Sequence, residues 1–498
     1  MKTFVNVLCL GLLSCTAAST DKPAEPSPST GDDGNKPLEK PNVLFIILDD
    51  MNDWAHYLGG NSQAITPNLD RLATQGIWFS NAYTAVPLSN PSRAAMLTGL
   101  PSTVTGIYQN THELQSSPAA VASTYMPEHF HNNGYYTLWA GKVFHNRPSE
   151  QRLAAMWDDQ QFRDGGYGPW PDGIVPTDDI DWREFEAYTG PDTDMPDVVN
   201  SRHVVEFLGQ PHDKPFFVAM GIYRPHTPYT VPKRYFDLYN LDSIIVPELP
   251  SDDLDDIPQY PKNNYYPAAN DLRTLLPEWK SSGYWKEIVR AYLASVTFAD
   301  DMVGNILNAL KASAYANNTI VILVGDNGFH LGQKQRFGKV ALWREACHVP
   351  FIVSIPSGAK AKVTAPVSLI DIYPTLVSLC GLPKISALYG DDLSPLLNNP
   401  SMEWDKPCWS NYIAGNFVVH YRNWNYIRYK NYATVANSHE LYNIDQDEDE
   451  LHNAADDAAN AQLIRQIEPY IPTSWADPVS SNASAVQQSS PMDRRFDL

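Results

Sequence analysis

The chain has 498 residues, 43% of them hydrophobic and 19% charged, which is the composition of a soluble globular protein long enough for two to four domains. Its formal net charge of −21 argues against nucleic acid or an anionic membrane surface as partner. An anionic substrate would therefore need a site that is locally basic inside an acidic whole.

Lys2 precedes the apolar run FVNVLCLGLL, too short to span a bilayer and suited to a secretory leader. LLSC, ending at Cys15, has the form of a bacterial lipoprotein box, while CTAAST offers small residues for ordinary cleavage. Residues 16–40 have the composition of a flexible tether, which favours lipidation at Cys15. The expectation is a leader over 1–15, a linker over 16–40, and an exported chain in the periplasm or on the outer membrane. No later stretch is long and apolar enough for a membrane helix.

NVLFIIL (42–48) is a continuous apolar run and predicts a strand buried on both faces, as in a parallel sheet. TPNLDRLATQG predicts a helix, with Thr66 as cap, Pro67 in the first turn and Gly76 at the stop. GIWFSNAYT returns as a strand. DKPFFVAMGIY, NNTIVILVGD and VPFIVSIP are further strands, residues 284–314 a long helix, and SLIDIYPTLVSLCG a helix ending on glycine. Alternating strands and helices imply βαβ units and an α/β fold, a large, mostly parallel sheet sandwiched by helices. Residues 148–200 and 240–283, rich in Asp, Pro, Tyr and Trp, read as long loops over one sheet edge. After about 395 the texture shortens to NFVVHYRNWNYIRY and HELYNI, antiparallel strands of a smaller α+β subdomain. The expected divisions are 41–395, 396–485 and a tail over 486–498. Cys347, Cys380 and Cys408 form no zinc spacing and allow at most one disulfide, with buried free thiols as the alternative.

Four motifs sit at predicted strand ends, where open α/β sheets place their sites. Asp49-Asp50 follows the first strand and Asp326-Asn327 another; each pair suits a turn or cap, or jointly a hard-oxygen set for Ca²⁺ or Mg²⁺. Lys142, His145, His226, Arg93 and Lys339 are surface cations and satisfied histidines, or together a pocket for a tetrahedral anionic ester. PLSNPSRAAMLTG (87–99) reads locally as a turn with Ser92 as helix cap, or as chemistry at Ser89.

In chain order, PNVLFIILDD, SNPSRAAMLTG, GKVFH, RPHTPY, DNGFHLG, LWREACHVPFIV and LIDIYPTLVSLCG resemble a type I sulfatase of the alkaline phosphatase superfamily. The likeness covers 41 to about 455, and GKVFH and RPHTPY are closest in style to iduronate-2-sulfatase. It implies an alkaline phosphatase-like fold and a sulfuric ester hydrolase. It also implies oxidation of Ser89 to Cα-formylglycine (3-oxoalanine) by a serine-type maturation enzyme, since this position is not cysteine. By the same likeness, Asp49, Asp50, Asp326 and Asn327 would hold one divalent ion, Ca²⁺ by the family pattern. Arg93 would stabilise the formylglycine hydrate, one of whose hydroxyls attacks sulfur to give a covalent sulfo-enzyme. Lys142, Lys339 and His226 would bind sulfate, with His145 as base and His226 as acid. Lys142 and His145 are three apart where many members have two, which weakens the assignment of His145. Arg224, His330, Tyr108, Asn110 and His112 are either structural or substrate-binding. The implied substrate is a sulfated oligosaccharide, from a glycosaminoglycan or a marine polysaccharide. The competing readings are a phosphomonoester or phosphodiester hydrolase using unmodified Ser89, and an inactive glycan-binding lipoprotein.

Overall fold

A computed structural model of the chain describes residues 40–162, 165–169, 184–265, 272–430, 435 and 438–481. The leader with Cys15, nearly all of the tether and the 486–498 tail lie outside the described residues.

The main elements are β1 (Asn42–Asp49), α1 (Pro67–Gln75), β2 (Ile77–Phe79), α2 (Ser89–Thr98), β3 (Tyr136–Gly141), β4 (Asp159–Phe162), α3 (Pro196–Leu208), β5 (Phe216–Pro225), α4 (Tyr284–Ala312), β6 (Thr319–Gly325), β7 (Phe351–Ser354), β8 (Ala361–Val363) and α5 (Ile372–Leu379). The eight strands form one sheet in the order β8-β2-β7-β6-β1-β5-β3-β4. Only β7 runs antiparallel to its neighbours, β2 and β6. The sheet is thus mixed and mostly parallel.

β1 shows why. Leu44, Ile46 and Leu48 face a core shared with α3 and α4, while Val43, Phe45 and Ile47 face a second core shared with α2 and α5. A strand covered on both sides has no polar face to alternate with, so it reads as an unbroken apolar run. Burying each such side chain contributes roughly 1.5–3 kcal/mol over leaving it exposed.

A second sheet is antiparallel, β9 (Cys408–Asn411), β10 (Phe417–Tyr421), β11 (Trp424–Arg428) and β12 (His439–Asn443) in chain order. Phe417, Val419 and Leu441 pack on α6 (Ala461–Ile467), while Val418, Ile427 and Tyr442 join the α3/α4 core. Among the described residues no helix is long and apolar enough to cross a membrane. Cys347, Cys380 and Cys408 are buried free thiols.

The stretches read as long loops differ most from expectation. Residues 148–200 hold a helix at Glu150–Met156, strand β4 and the start of α3, and 240–283 hold helices at Gln259–Asn264 and Leu272–Ser282. The prolines that suggested loops partly start helices instead: Pro196 occupies the first turn of α3, where its missing N–H costs nothing. GIWFSNAYT is two short strands, since Ala82–Tyr83 leaves the main sheet to pair with Val367–Ser368. Ser92 is not the cap of α2; the helix begins at Ser89, preceded by extended Leu88, and Pro91 lies inside its first turn.

Candidate active site

β6, β1, β5 and β3 are parallel neighbours, so their C-terminal ends line one edge. Asp49 ends β1, Asp326 follows β6, His226 follows β5 and Lys142 follows β3. The ends are tied together: Asp326 N donates to Leu48 O at 3.0 Å and Lys142 N to Gly221 O at 2.9 Å. Successive strand side chains point to opposite faces. Asp50 escapes this through a left-handed backbone, φ 59°, and both carboxylates reach the same cluster. The strain, on the order of 1–2 kcal/mol for a non-glycine residue, is held by Asp50 N donating to Asp326 Oδ1 (3.0 Å) and Tyr292 OH donating to Asp50 O (2.9 Å).

α2 supplies Ser89 and Arg93, four residues apart and so on one helix face. Ser89 is fully buried. Its Oγ accepts from Lys339 Nζ at 3.1 Å and lies 3.2 Å from both Asp49 Oδ1 and Asn327 Oδ1. Arg93 spans the cluster, with Nε 2.7 Å from Asp326 Oδ2 and one terminal nitrogen 3.2 Å from Asp49 Oδ1. Lys142 Nζ pairs with Asp49 Oδ2, and Lys339 Nζ with Asp50 Oδ1 at 2.7 Å. Lys339 comes from a strained loop in which Lys334, Gln335 and Val340 all have positive φ. For β-branched Val340 that is a true outlier; its N–H is pinned to Pro87 O at 3.1 Å, which fastens the loop beside Ser89.

Three carboxylates thus face Arg93, Lys142 and Lys339 in a buried site. Burial would raise Asp49, but Lys142, His226, Arg93 and Lys339 hold it well below the ordinary carboxylate range. Burial lifts Asp50 to about 6 against the pull of Lys339 and with the repulsion of Asp49. Burial lifts Asp326 to about 7 although Arg93 pulls it down, with Asp49 and Asp50 adding repulsion. One oxygen from each carboxylate lies within 4.8 Å of the others. Hard oxygen ligands crowded against their own repulsion fit a divalent cation of the Ca²⁺ or Mg²⁺ kind. Asn327 adds an amide oxygen on the Ser89 side, while its Nδ2 donates to Asp50 Oδ1 at 2.8 Å.

The remaining residues singled out in the sequence divide sharply. His226 joins the cluster: its Nδ1 is 2.6 Å from Thr227 O and its Nε2 3.5 Å from Asp50 Oδ2. His145 feels Lys142, Lys339, Asp49 and Arg93; burial first, then the two lysines, hold it well below the usual imidazole value, hence neutral. Its Nδ1 is buried with no hydrogen-bond partner among the described residues.

The others make internal hydrogen bonds. Arg224 donates to the carbonyls of Thr230, His226 and Tyr167. Tyr108 OH donates to Ala476 O, and His112 Nδ1 meets Tyr108 N and Gly106 O. Asn110 Oδ1 accepts from Asn90 N, so 108–112 brace the first turn of α2. His330 is buried with Nδ1 on Gly338 O, beside Arg336 and Lys334 and not the carboxylate cluster. The sequence reading missed the contact of Ser92, whose Oγ donates to Asp326 O at 2.6 Å, and it missed Tyr292 and Tyr167, which touch site residues from α4 and from a glycine-rich loop. Only GGYG around Tyr167 left a local signal.

The family model for Sulfatase matches residues 41–382, and that for the C-terminal part of N-sulphoglucosamine sulphohydrolase matches 332–474. The chain belongs to the sulfatase family. A sulfatase of Formosa agariphila is 36% identical over 460 residues, 88% of this chain and 87% of that one. Human iduronate 2-sulfatase is 28% identical over 403 residues, 70% of each chain. A structure of a protein in complex with its substrate D-glucosamine-2-N,6-O-disulfate has the same fold, with a TM-score of 0.68 and 23% identity over 86% of this chain and 96% of that one. This sulfatase is accordingly a sulfuric ester hydrolase with an alkaline phosphatase-like fold.

One glycine in this sulfatase is dictated by the site. A Cβ on Gly221 would lie 1.8 Å from Lys142 O, where β5 and β3 run side by side behind the lysine. Gly221→Ala is expected to destabilise by about 1–3 kcal/mol through overpacking. Because it pushes directly on Lys142, it should also lower kcat/KM by about 10- to 100-fold. Unfolding midpoints and initial rates on a sulfate ester check this; parental kinetics would contradict it.

Proposed function

We propose that this sulfatase removes sulfate from a sulfated oligosaccharide, of glycosaminoglycan or marine polysaccharide type, using Cα-formylglycine made from Ser89 and a Ca²⁺ ion held by Asp49, Asp50, Asp326 and Asn327. The observation that supports this is one buried cluster in which Arg93, Lys142, Lys339 and His226 pair with Asp49, Asp50 and Asp326, and in which Asp49, Asn327 and Lys339 reach the serine oxygen itself.

The serine hydroxyl has one proton, yet Asp49 Oδ1 and Asn327 Oδ1 both face it at 3.2 Å. That surplus of acceptors fits both a bound cation and a carbon bearing two hydroxyls. Asp49, Asp50, Asp326 and Asn327 would hold a calcium ion that would supply Lewis acidity at the Ser89-derived oxygen; one hydroxyl of the hydrated aldehyde would bond to sulfur as the sulfur–oxygen bond to the sugar breaks, and the second would lose its proton and collapse to the aldehyde as sulfate leaves.

The protein's own groups do the rest. Lys142 and Lys339 balance negative charge on the sulfate oxygens, and Arg93 holds Asp49 and Asp326 in register. His145, kept neutral by burial and its cationic neighbours, is the base on the Ser89-derived hydroxyl. Thr227 O orients His226 by accepting from Nδ1–H, which turns Nε2 toward the site. The acid is the imidazolium form, whose Nε2–H faces Asp50 Oδ2 at 3.5 Å; as the sulfur–oxygen bond to the sugar breaks, Nε2 gives that proton to the departing oxygen and leaves His226 neutral.

The relatives' substrates support a sugar, and so does the export expected from the leader, with Cys15 as the proposed lipid anchor. A panel of sulfated glycans, comprising iduronate and glucosamine sulfate disaccharides and ulvan, carrageenan and fucoidan oligosaccharides, tests the substrate by release of free sulfate. Release only from a small non-sugar ester would overturn it, and faster turnover of phosphate esters would favour a phosphohydrolase. Changing Cys15 should move the protein out of the membrane fraction.

A further inference from the structure

We propose that Tyr167 is a positioning residue for the leaving-group side of the reaction, setting the plane of His226 and the place of the Lys142 ammonium; this rests on the sulfatase reading above. Its phenol oxygen accepts a hydrogen bond from Lys142 Nζ at 3.1 Å. Its ring lies over the His226 imidazole, with centroids 4.6 Å apart and planes at 31°.

The loop is built to deliver that side chain. Gly165, Gly166 and Gly168 surround Tyr167 with φ of 151°, 68° and 86°, conformations that favour glycine. A Cβ on Gly165 would lie 2.6 Å from Pro196 at the start of α3, so the loop is laid tightly on that helix. The Gly166 N–H bonds the Tyr223 hydroxyl, and the Tyr223 ring meets the Tyr167 ring edge-on at 5.4 Å. Arg224 then ties the two partners together, donating to the carbonyls of both Tyr167 and His226. Arg224, read from the sequence as either structural or substrate-binding, clamps the aromatic to the histidine.

The consequence is mechanical. Thr227 O fixes one ring nitrogen of His226, and the Tyr167 face blocks rotation of the imidazole about that contact. A sugar alkoxide is a poor leaving group and needs a proton delivered in line as its bond to sulfur breaks; a nitrophenolate leaves without one. Loss of the aromatic face should therefore harm the two substrate types unequally.

The test compares Tyr167→Leu and Tyr167→Phe with the parent on two esters, the panel glycan that the parent cleaves fastest and 4-nitrophenyl sulfate. The readout is the ratio of the two turnover rates, which does not depend on the folded fraction of any variant. Tyr167→Leu is expected to lower kcat on the glycan by about 10- to 100-fold and on the aryl ester by less than about three-fold. Tyr167→Phe keeps the ring and should keep the parental ratio, with a raised KM from the lost Lys142 contact. Equal losses on both esters, or a parental ratio in Tyr167→Leu, would overturn the proposal. A parent inactive on every sulfate ester would overturn the functional reading instead.

Discussion

Ser89→Ala is expected to lower kcat for sulfate-ester hydrolysis by at least about four orders of magnitude and to leave the unfolding midpoint nearly unchanged. Removing the atom that bonds to the transferred group removes the covalent route, and such losses in other enzymes run to about 10⁶. The fold should survive. Lys339 keeps Asp50 at 2.7 Å, and Asn327 keeps its bond from Nδ2 to Asp50 Oδ1 at 2.8 Å, so no buried charge is orphaned when Oγ goes. Rates on the best panel glycan and a thermal melt check both halves. Residual turnover within about tenfold of the parent would mean that water attacks sulfur directly and that Ser89 is only a neighbour.

Arg93→Gln should be inactive and unstable together. Arg93 is buried and pairs with Asp326 and Asp49 at once, while its remaining nitrogen donates to Lys142 O. Glutamine leaves two buried carboxylates facing one another with a cation missing, a loss of about 3–5 kcal/mol for a broken buried pair. Activity should fall by about 10²–10³-fold, the usual result of removing one preorganised donor from a charge-stabilising site. Arg93→Lys should recover part of the stability and little of the activity, because an ammonium cannot bridge two carboxylates as the planar fork does. Added calcium should raise the midpoint of Arg93→Gln more than that of the parent, since the proposed ion would bind only the folded carboxylate cluster and would relieve a repulsion that the missing arginine no longer offsets. A variant whose stability ignores calcium would place the ion elsewhere.

The oxygen quartet was legible because it follows from the sheet. Two apolar runs that end in Asp49-Asp50 and in Asp326-Asn327 become neighbouring parallel strands, and parallel strands must end at the same edge. Lys142 and His226 were legible for the same reason, on the next two strands along. Lys339 sits on no strand end of the large sheet; its place depends on a loop that tolerates positive φ at Val340, which no local pattern announces. The internal bonds of Arg224, Tyr108, Asn110 and His112 were illegible because composition cannot say which backbone carbonyl a donor will meet across the fold. Tyr167 was hidden in a stretch whose glycines and prolines read as a featureless loop. Its glycines are there for the left-handed backbone that carries the ring to His226.

In the mechanism proposed above, a Ser89-derived aldehyde, not an alcohol, performs the chemistry. Mass spectrometry of the peptide carrying Ser89, from active enzyme produced alongside a serine-type maturation enzyme, tests it most directly. The predicted peptide is lighter than the encoded one by two hydrogens. An intact serine in enzyme that turns over sulfate esters at full rate would contradict it.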